Sequence, residues 1–446
     1  MKRRTFVTQT ALVSLGFLAL SRCNLKSSNT SSASAILPLK TDPQGYLDLP
    51  EGFSYKIISK HGDKMTDGLI VPGRPDGMGA FEGSGTKVIL VRNHENSPSP
   101  MSDSPFGDQN QWIEKVDKNK LYDAGKLSKP GLGGTTTLVY DEATGIVEKQ
   151  FLSLAGTYRN CAGGVTPWNS WLTCEEDVSN ADGEFVEKDH GYVFDVPASS
   201  EGLVDPKPII GMGRFNHEAV AVDPKTGIIY QTEDRHDSLI YRFVPQNRDD
   251  LHAGGKLQVL AVVNQQSLDT RNWEEKEVKI NQKMPIKWID IDHVNPKEDD
   301  LRIRGLEMGA ACFARGEGMW TSENNEIYFA CTNGGPKRFG QVFKIDLKTD
   351  TLELFAESED KTILHMCDNL TITPWGHVMT CEDNGETNRV HIIDEEGNIQ
   401  LFGVNKSSTS ELAGAVFSPS GKTLFVNIQE NGETVAITGP WEKFHG

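Results

Sequence analysis

One segment of this chain occurs twice in register. Each copy holds Thr-Pro-Trp followed by Thr-Cys-Glu, beginning at Thr166 in the first copy and at Thr373 in the second, an offset of 207 residues. The offset aligns three pairs of residue types that bind metals: Cys161 with Asp368, Glu175 with Glu382, and Glu176 with Asp383. Two copies of one structural unit can direct equivalent positions toward a shared axis. The repeat therefore predicts a repetitive fold that collects metal ligands from distant segments.

The N-terminal segment 1–35 is typical of a twin-arginine export signal. Lys2-Arg3-Arg4 is followed by an apolar run from Ala11 to Leu20 and by a small-residue cleavage site at Ala33-Ser34-Ala35. The run is too short to span a bilayer, and no comparable run follows. We therefore expect the twin-arginine translocon as the export partner, a single mature domain at 36–446 with no integral membrane segment, and a periplasmic or extracellular address. Lipidation at Cys23 is disfavoured because Arg22, instead of a small residue, precedes it.

The charge balance excludes several partner classes. Residues 1–35 carry five basic and no acidic residues, so their removal takes the net charge from −18 to −23. Nucleic acid and anionic membrane surfaces are poor partners for such a chain, whereas divalent cations suit it. The alternative is that most of the acids only keep an exported protein soluble. A monomer is expected.

The hydrophobic pattern favours short strands throughout. Runs such as 86–92, 227–232 and 422–427 are rich in β-branched and aromatic residues and end at turn residues, as in hairpins. An all-β chain with internal repeats suggests a β-propeller, and a large β-sandwich is the alternative. With blades of about 65 residues, an offset of 207 spans three blades, so the sequence predicts six blades. Two charged stretches, 96–134 and 265–308, are predicted insertions that wall a pocket.

Candidate metal ligands occur where predicted strands begin or end. Glu218 and Glu317 each precede a strand, and in a propeller such positions face the channel mouth; Glu95 follows the strand 86–92. Carboxylates suit calcium, whereas a lone cysteine among carboxylates suits a transition metal such as zinc or iron, so a mixed site is a hypothesis. For Cys161 a small buried residue or half a disulfide is an equal alternative, and for the other mature cysteines packing or a disulfide is favoured.

Several motifs, in order, resemble the PhoX-type alkaline phosphatases. They are Asn-Cys-Ala-Gly-Gly from Asn160 with Thr-Pro-Trp and Thr-Cys-Glu-Glu, Arg-Phe-Asn-His-Glu at 214–218, Thr-Glu-Asp-Arg at 232–235, Arg-Gly-Glu-Gly at 315–318 and Phe-Ser-Pro-Ser-Gly from Phe417. The similarity extends from about Asn93 to Gln429. The sequence 429–432 departs from the Gln-His-Pro-Gly expected after the last strand, which affects the edge of the pocket.

This resemblance implies a six-bladed propeller that holds iron (Fe³⁺) and calcium (Ca²⁺) and hydrolyses phosphate monoesters during phosphate acquisition. It also implies that Cys161 is a thiolate ligand of iron and that Arg315 contacts the substrate phosphate. The residues expected as the other metal ligands are Glu218, Glu317, Glu95, Glu175, Glu176, Asp368 and Glu382. Two alternatives remain: a calcium-dependent propeller lactonase or esterase, and a non-catalytic propeller braced by calcium.

Overall fold

The computed structural model describes residues 37–444, and within this range the protein is an all-β, propeller-like fold. The predicted signal peptide lies outside the described residues. The segment Leu37–Pro440 forms one compact unit, and Trp441–Phe444 is a short 3-10 helix. None of the helices in the described range is long and apolar enough to cross a membrane.

The compact unit contains 26 described strands and few helices. The strands are β1 (Leu39–Lys40), β2 (Leu47–Pro50), β3 (Ser54–Lys60), β4 (Pro75–Glu82), β5 (Lys87–His94), β6 (Gly133–Asp141), β7 (Ile146–Thr157), β8 (Asn160–Val165), β9 (Ser170–Glu175), β10 (Val193–Pro197), β11 (His217–Val222), β12 (Ile229–Glu233), β13 (Tyr241–Pro245), β14 (Gly255–Val262), β15 (Lys283–Ile291), β16 (Gly316–Thr321), β17 (Glu326–Cys331), β18 (Gln341–Asp346), β19 (Thr351–Glu357), β20 (Cys367–Ile372), β21 (Val378–Glu382), β22 (Arg389–Ile393), β23 (Ile399–Asn405), β24 (Leu412–Phe417), β25 (Thr423–Ile428) and β26 (Glu433–Thr438). One α-helix, α1, spans Leu301–Glu307. Short 3-10 turns occupy Met101–Asp103, Ile113–Lys115, Lys118–Lys120, Gly125–Leu127, Ile210–Met212 and Leu251–Ala253.

The strands form antiparallel meanders that divide into five hydrogen-bonded sheets. Two sheets have four strands each, β4-β5-β6-β7 and β24-β25-β26-β3, and one has three, β10-β9-β8. The others are β1-β2-β23-β22-β21-β20 and the nine-stranded β11-β12-β13-β14-β15-β19-β18-β17-β16. The nine-stranded sheet arises because β15, in the predicted insertion 265–308, pairs with both β14 and β19. Part of that insertion is therefore a strand that joins two meanders.

The first strands of the meanders surround a common axis. We call β4, β8, β11, β16, β20 and β24 the inner strands; each contacts the next in this order, and β24 contacts β4 again. An N-terminal strand closes the last sheet, because β3 pairs with β26 from Lys60 opposite Glu433 to Ser54 opposite Thr438. Pairing between the two ends of the unit stabilises the closed arrangement.

Glycines allow the inner strands to approach closely. A Cβ on Gly164 of β8 would lie 2.0 Å from the carbonyl oxygen of Val220 in β11, and one on Gly318 of β16 would lie 2.4 Å from the backbone nitrogen of Leu370 in β20. Side chains larger than hydrogen would push the strands apart. These contacts explain the glycines beside Cys161 and Glu317 in the sequence motifs.

The core lies between neighbouring sheets. Leu172, Val220 and Phe243, from three different strands, are buried together in one apolar cluster, and Phe313, Phe329 and Phe343 pack edge-to-face or stacked in another. Burying each such side chain contributes about 1.5–3 kcal/mol relative to exposure. The alternating pattern of the strands thus supplies the apolar faces that hold the inner strands in place.

Candidate metal centre

Five of the six inner strands carry a metal-ligand residue type at their second position. These residues are Asp76, Cys161, Glu218, Glu317 and Asp368. In all five strands the pairing register shifts between the first and the fourth residue, across this second position, as in a β-bulge. Bulges redirect side chains, and here they direct equivalent positions toward the common axis. In β24 the second residue is Ala413, and Glu411 lies just before the strand.

An arginine with unusual backbone geometry precedes three of these strands. Arg74, Arg159 and Arg315 come directly before β4, β8 and β16, and each has φ of 45°. Positive φ is uncommon for a residue with a side chain, and its cost is retained mostly at functional sites. The three arginines therefore lie one residue before the inner strands, beside the acidic positions.

The structure gathers the acidic residues into three groups. The groups are Glu95, Cys161 and Glu176; Asp76, Glu95 and Glu411; and Glu218, Glu317 and Asp368. Within each group, one potential ligand atom per residue lies within 4.8 Å of the others. Six of the sequence-predicted ligands are thus brought together with two residues that were not predicted as ligands, Asp76 and Glu411.

Glu218 is a buried carboxylate without a hydrogen-bond partner in the described range. Its side chain is fully buried, and neither carboxylate oxygen has a hydrogen-bond partner among the described residues. Burial raises the pKa of Glu218 well above its usual value, and the neighbouring carboxylate of Glu176 raises it further. A buried carboxylate without a partner is costly, so the site lacks positive charge at this position.

Three other carboxyl groups of the centre also have raised pKa values. Burial, together with nearby carboxylates, raises the pKa of Glu317 and of Glu176 well above their usual values. Burial and Asp383 raise the pKa of Asp368 to about 8. Like charges this close cannot all ionise without counterions.

Cys161 is a free, half-buried thiol rather than half of a disulfide. Burial raises the pKa of the Cys161 thiol well above its usual value, and the carboxylates of Asp76 and Glu218 raise it further. A thiolate therefore forms here only beside a positive charge. The five other described cysteines are buried free thiols, which fits packing rather than a disulfide, the two alternatives that the sequence left open.

Arg315 is held at the edge of the third group by two carboxylates. Its Nε and Nη2 donate to the two oxygens of Asp234 at 2.7 and 3.0 Å, and Nη2 also donates to Glu317 at 2.7 Å. Although burial opposes it, Arg315 lowers the pKa of Asp234 below its usual value. No described partner contacts Nη1, and Arg315 is 22% exposed. The arginine is therefore fixed in orientation with one nitrogen available.

Arg74 and Arg159 lie on either side of Glu95. Arg74 donates to one oxygen of Glu95 at 2.7 Å, and Arg159 lies 2.7 Å from the other and also pairs with Glu176. Gln429 donates to Asp76 at 2.5 Å and to Glu95 at 3.0 Å. Arginines therefore partly neutralise the carboxylates around Glu95, whereas Glu218 has no such partner in the described part of the chain.

Glu175 and Glu382 belong to none of the three groups. Glu175 accepts hydrogen bonds from His190 and from the backbone N–H groups of Tyr158, Gly191 and Tyr192. Glu382, at the equivalent repeat position, accepts from His391, Arg389, Asn384 and the backbone of His365. Their oxygens are engaged in holding adjacent strands and loops together, and the structure does not bring them to the predicted metal centre.

Sequence analysis missed Asp76 as a ligand candidate, as well as the roles of Arg74, Arg159 and Asp234. The sequence does contain a signal for Asp76, Arg74 and Arg159. Arg-x-Asp/Cys/Glu followed by a small residue occurs at 74–77, 159–162 and 315–318, each time at the start of an inner strand. Asp234 lies in the Thr-Glu-Asp-Arg motif, but its pairing with Arg315 depends on tertiary contact.

Several solved structures are similar to this chain at low sequence identity. A gluconolactonase from Xanthomonas campestris is 12% identical, with 94% of this chain and 100% of that chain covered and a TM-score of 0.43. A virginiamycin B lyase from Staphylococcus aureus is 11% identical, with 86% and 99% covered and a TM-score of 0.40. The WD40 β-propeller domain of Doa1 is 8% identical, with 87% and 99% covered and a TM-score of 0.41. None of the curated proteins compared matches the chain significantly.

One family model matches nearly the whole chain. The model of the family described as alkaline phosphatase PhoX matches residues 35–432, which includes every inner strand and all three acidic groups. The chain belongs to the PhoX alkaline phosphatase family.

Proposed function

We propose that this protein hydrolyses phosphate monoesters and releases inorganic phosphate with the help of bound iron and calcium. The observation that carries the proposal is the position of Arg315. Its oriented guanidinium lies next to the group of Glu218, Glu317 and Asp368, and within this group it pairs with Glu317 alone. A phosphate monoester needs cations around its oxygens, and a cation cluster beside a fixed arginine meets that need.

The donor sets of the three groups suit two kinds of metal. Cys161 with Glu95 and Glu176 combines sulfur and oxygen, which fits Fe³⁺ better than a hard alkaline-earth ion. The two groups that contain only carboxylates fit Ca²⁺. The buried, unpartnered oxygens of Glu218 support a cation at that group in particular.

Bound metals would neutralise phosphate charge and activate an oxygen nucleophile. The protein's own contribution is positioning. Nη1 of Arg315 is free to donate to a non-bridging phosphate oxygen while Asp234 fixes the guanidinium plane. Glu317 links Arg315 to the acidic group, so substrate binding and metal binding are coupled at one side chain.

The blade number is part of the proposal. We infer six blades, and the support is the closed circuit of six inner strands, each at the start of an antiparallel meander. In this interpretation the nine-stranded sheet is two blades joined by β15. The repeat offset of 207 residues then relates the blades that start with β8 and β20, three positions apart in the ring.

The N-terminal sequence supports export by the twin-arginine translocon to the periplasm or the medium, where small phosphate esters are the substrates. We propose a monomer that binds neither nucleic acid nor membrane, in keeping with its acidity.

The first test is elemental analysis of the exported protein combined with turnover of p-nitrophenyl phosphate before and after chelation. Iron plus calcium, with turnover lost on chelation and restored by the metals, is the expected result. Calcium alone without phosphatase turnover would overturn the proposal and favour a lactonase or a binding propeller.

A further inference from the structure

A cationic and aromatic patch borders Arg315 at the edge of the centre. The mouth patch consists of His236, Arg271, Trp273, Asn333 and Arg338. The guanidinium carbons of Arg271 and Arg338 lie over the indole of Trp273, at 4.3 and 4.4 Å from the ring centroid. His236 is exposed, and its Nδ1 lies 3.1 Å from the side-chain nitrogen of Asn333. Two arginines therefore contact one indole ring in an otherwise acidic protein.

Hydrogen bonds attach the mouth patch to both sides of Arg315. The backbone N–H of Arg315 donates to Arg235, and its carbonyl accepts from Thr332. The next residues along these two segments, His236 and Asn333, accept through their carbonyls from Arg271 at 3.0 Å and from the indole N–H of Trp273 at 2.6 Å. The patch is therefore built directly onto the segments that flank the phosphate-binding arginine.

The two arginines differ in whether a carboxylate balances their charge. Arg271 is held by both oxygens of Asp269, at 2.6 and 2.8 Å, so its charge is balanced. Arg338 is exposed and has no carboxylate within ion-pair distance in the range 37–444. It also has φ of 58°, a conformation that a residue with a side chain rarely adopts. Arg338 is thus a cation without a carboxylate partner in this range, and it lies over the ring of Trp273.

We propose that the mouth patch binds the leaving group of the ester and favours leaving groups that carry a second negative charge. This inference rests on the phosphatase function proposed above. With the phosphoryl group at Arg315, the rest of the ester meets the surrounding segments, where Trp273 offers an apolar face and Arg338 a planar donor for a carboxylate or a second phosphate.

The test compares two esters whose leaving groups are similar in size but differ in charge, 4-carboxyphenyl phosphate and its neutral amide, 4-carbamoylphenyl phosphate, and follows how the ratio of their kcat/KM values changes between variants. The wild-type protein should show the higher kcat/KM for the carboxylate ester. Arg338→Gln should lower the ratio of the two kcat/KM values by about three- to tenfold, through KM rather than kcat. The matched control is Lys337→Gln, which removes a neighbouring exposed charge and should keep the ratio, because the cation–π contacts described for Trp273 come from Arg271 and Arg338.

Salt provides an independent readout. Because Arg338 is exposed, 0.5 M salt (about three times the ionic strength of physiological buffer) should lower the wild-type ratio toward that of Arg338→Gln. A ratio that survives Arg338→Gln, or that falls equally in Lys337→Gln, would overturn the subsite while leaving the phosphatase function intact. A metal-loaded wild-type protein that hydrolyses neither ester would instead overturn the proposed function, and the subsite with it.

Discussion

Asp234 accepts hydrogen bonds from the guanidinium of Arg315 through both carboxylate oxygens, at 2.7 and 3.0 Å, although 81 residues separate the two in sequence. Asp234 directly follows β12 and Arg315 directly precedes β16, so a neighbouring strand end helps to position the guanidinium, together with Glu317 of β16. Two parallel hydrogen bonds fix the plane of an arginine in a way that a single contact does not.

The first prediction concerns this pair. Asp234→Asn replaces a charged, bidentate acceptor with an amide, so Arg315 loses its fixed plane, and kcat/KM for p-nitrophenyl phosphate should fall about 10- to 100-fold. Bound metal should remain, because Asp234 belongs to none of the three acidic groups. Asp237→Asn is the control, since Asp237 pairs with Arg302 instead. Unchanged kinetics in Asp234→Asn would show that Arg315 needs no such support.

The second prediction separates Arg315 from the metal centre. Arg315→Ala should keep its iron and calcium yet lose most turnover, because the guanidinium binds substrate rather than metal. Elemental analysis and steady-state kinetics on the same preparation distinguish the two roles. Loss of metal together with activity would mean that Arg315 mainly neutralises Glu317, with which it pairs at 2.7 Å.

The third prediction assigns the thiol. Cys161→Ala should lose iron while retaining most calcium, because it removes the only sulfur from the three acidic groups found in the described range. Cys174→Ala, in which a fully buried thiol of β9 is removed, should retain both metals. An active Cys161→Ala protein with a full complement of iron would contradict the assignment.

How much of this centre the sequence predicts depends on strand geometry. Short strand patterns and the 207-residue repeat correctly indicated an all-β, propeller-like chain, and Cys161, Glu218, Glu317 and Asp368, which the sequence predicts as ligands, all lie in the three acidic groups. They did not distinguish Glu175 from Glu176. Successive residues of an extended chain point to opposite sides, so Glu176, directly after the end of β9, joins an acidic group while Glu175 points toward His190.

Other features depend on contacts between distant segments. Asp76 lies between Pro75 and Gly77, and this Pro-Asp-Gly sequence is typical of a turn. Only the bulge in β4 directs Asp76 to the centre. The merger of two meanders through β15 was also not predictable, because the charged composition of 265–308 is typical of a loop. Edge pairing of this kind is decided by which meander lies next to it.

The fourth prediction uses the contrast between Glu218 and Glu382. Glu218→Gln should lower the metal content and leave the metal-free protein as stable or more stable, since it removes a buried carboxyl without partners. Glu382→Gln should keep the metals but lower stability by about 3–5 kcal/mol, because Arg389 and His391 lose their anion. Thermal melts with and without chelator, together with elemental analysis, check both. Loss of metal in Glu382→Gln with no change in the melt would restore it as a ligand.

The fifth prediction concerns alkaline stability and follows from His190. Burial lowers the pKa of His190, but the carboxylates of Glu175 and Asp123 outweigh this effect and raise it from 6.5 to about 9. A group whose pKa is raised on folding contributes stability below its unfolded pKa, and the contribution disappears as the pH rises through its folded pKa. The stabilisation should therefore be complete below about pH 6.5 and lost above about pH 9, on the order of 3 kcal/mol in total.

His190→Gln tests this directly. The wild-type protein should lose its stability advantage over the variant between pH 6.5 and pH 9.5, measured as the difference in free energy of unfolding by denaturant at each pH. A constant difference across this range would show that His190 does not titrate there.

The last prediction concerns the close approach of the inner strands. Gly164→Ala places a methyl group 2.0 Å from the carbonyl oxygen of Val220, and backbone cannot move aside as a flexible side chain can. Overpacking of this kind should cost about 2–3 kcal/mol and displace Cys161, three residues earlier in β8, so both the melting temperature and the iron content should fall. Gly202→Ala is the matched control because its added methyl group meets open space. A Gly164→Ala protein that melts like Gly202→Ala would mean that β8 and β11 are not in such close contact.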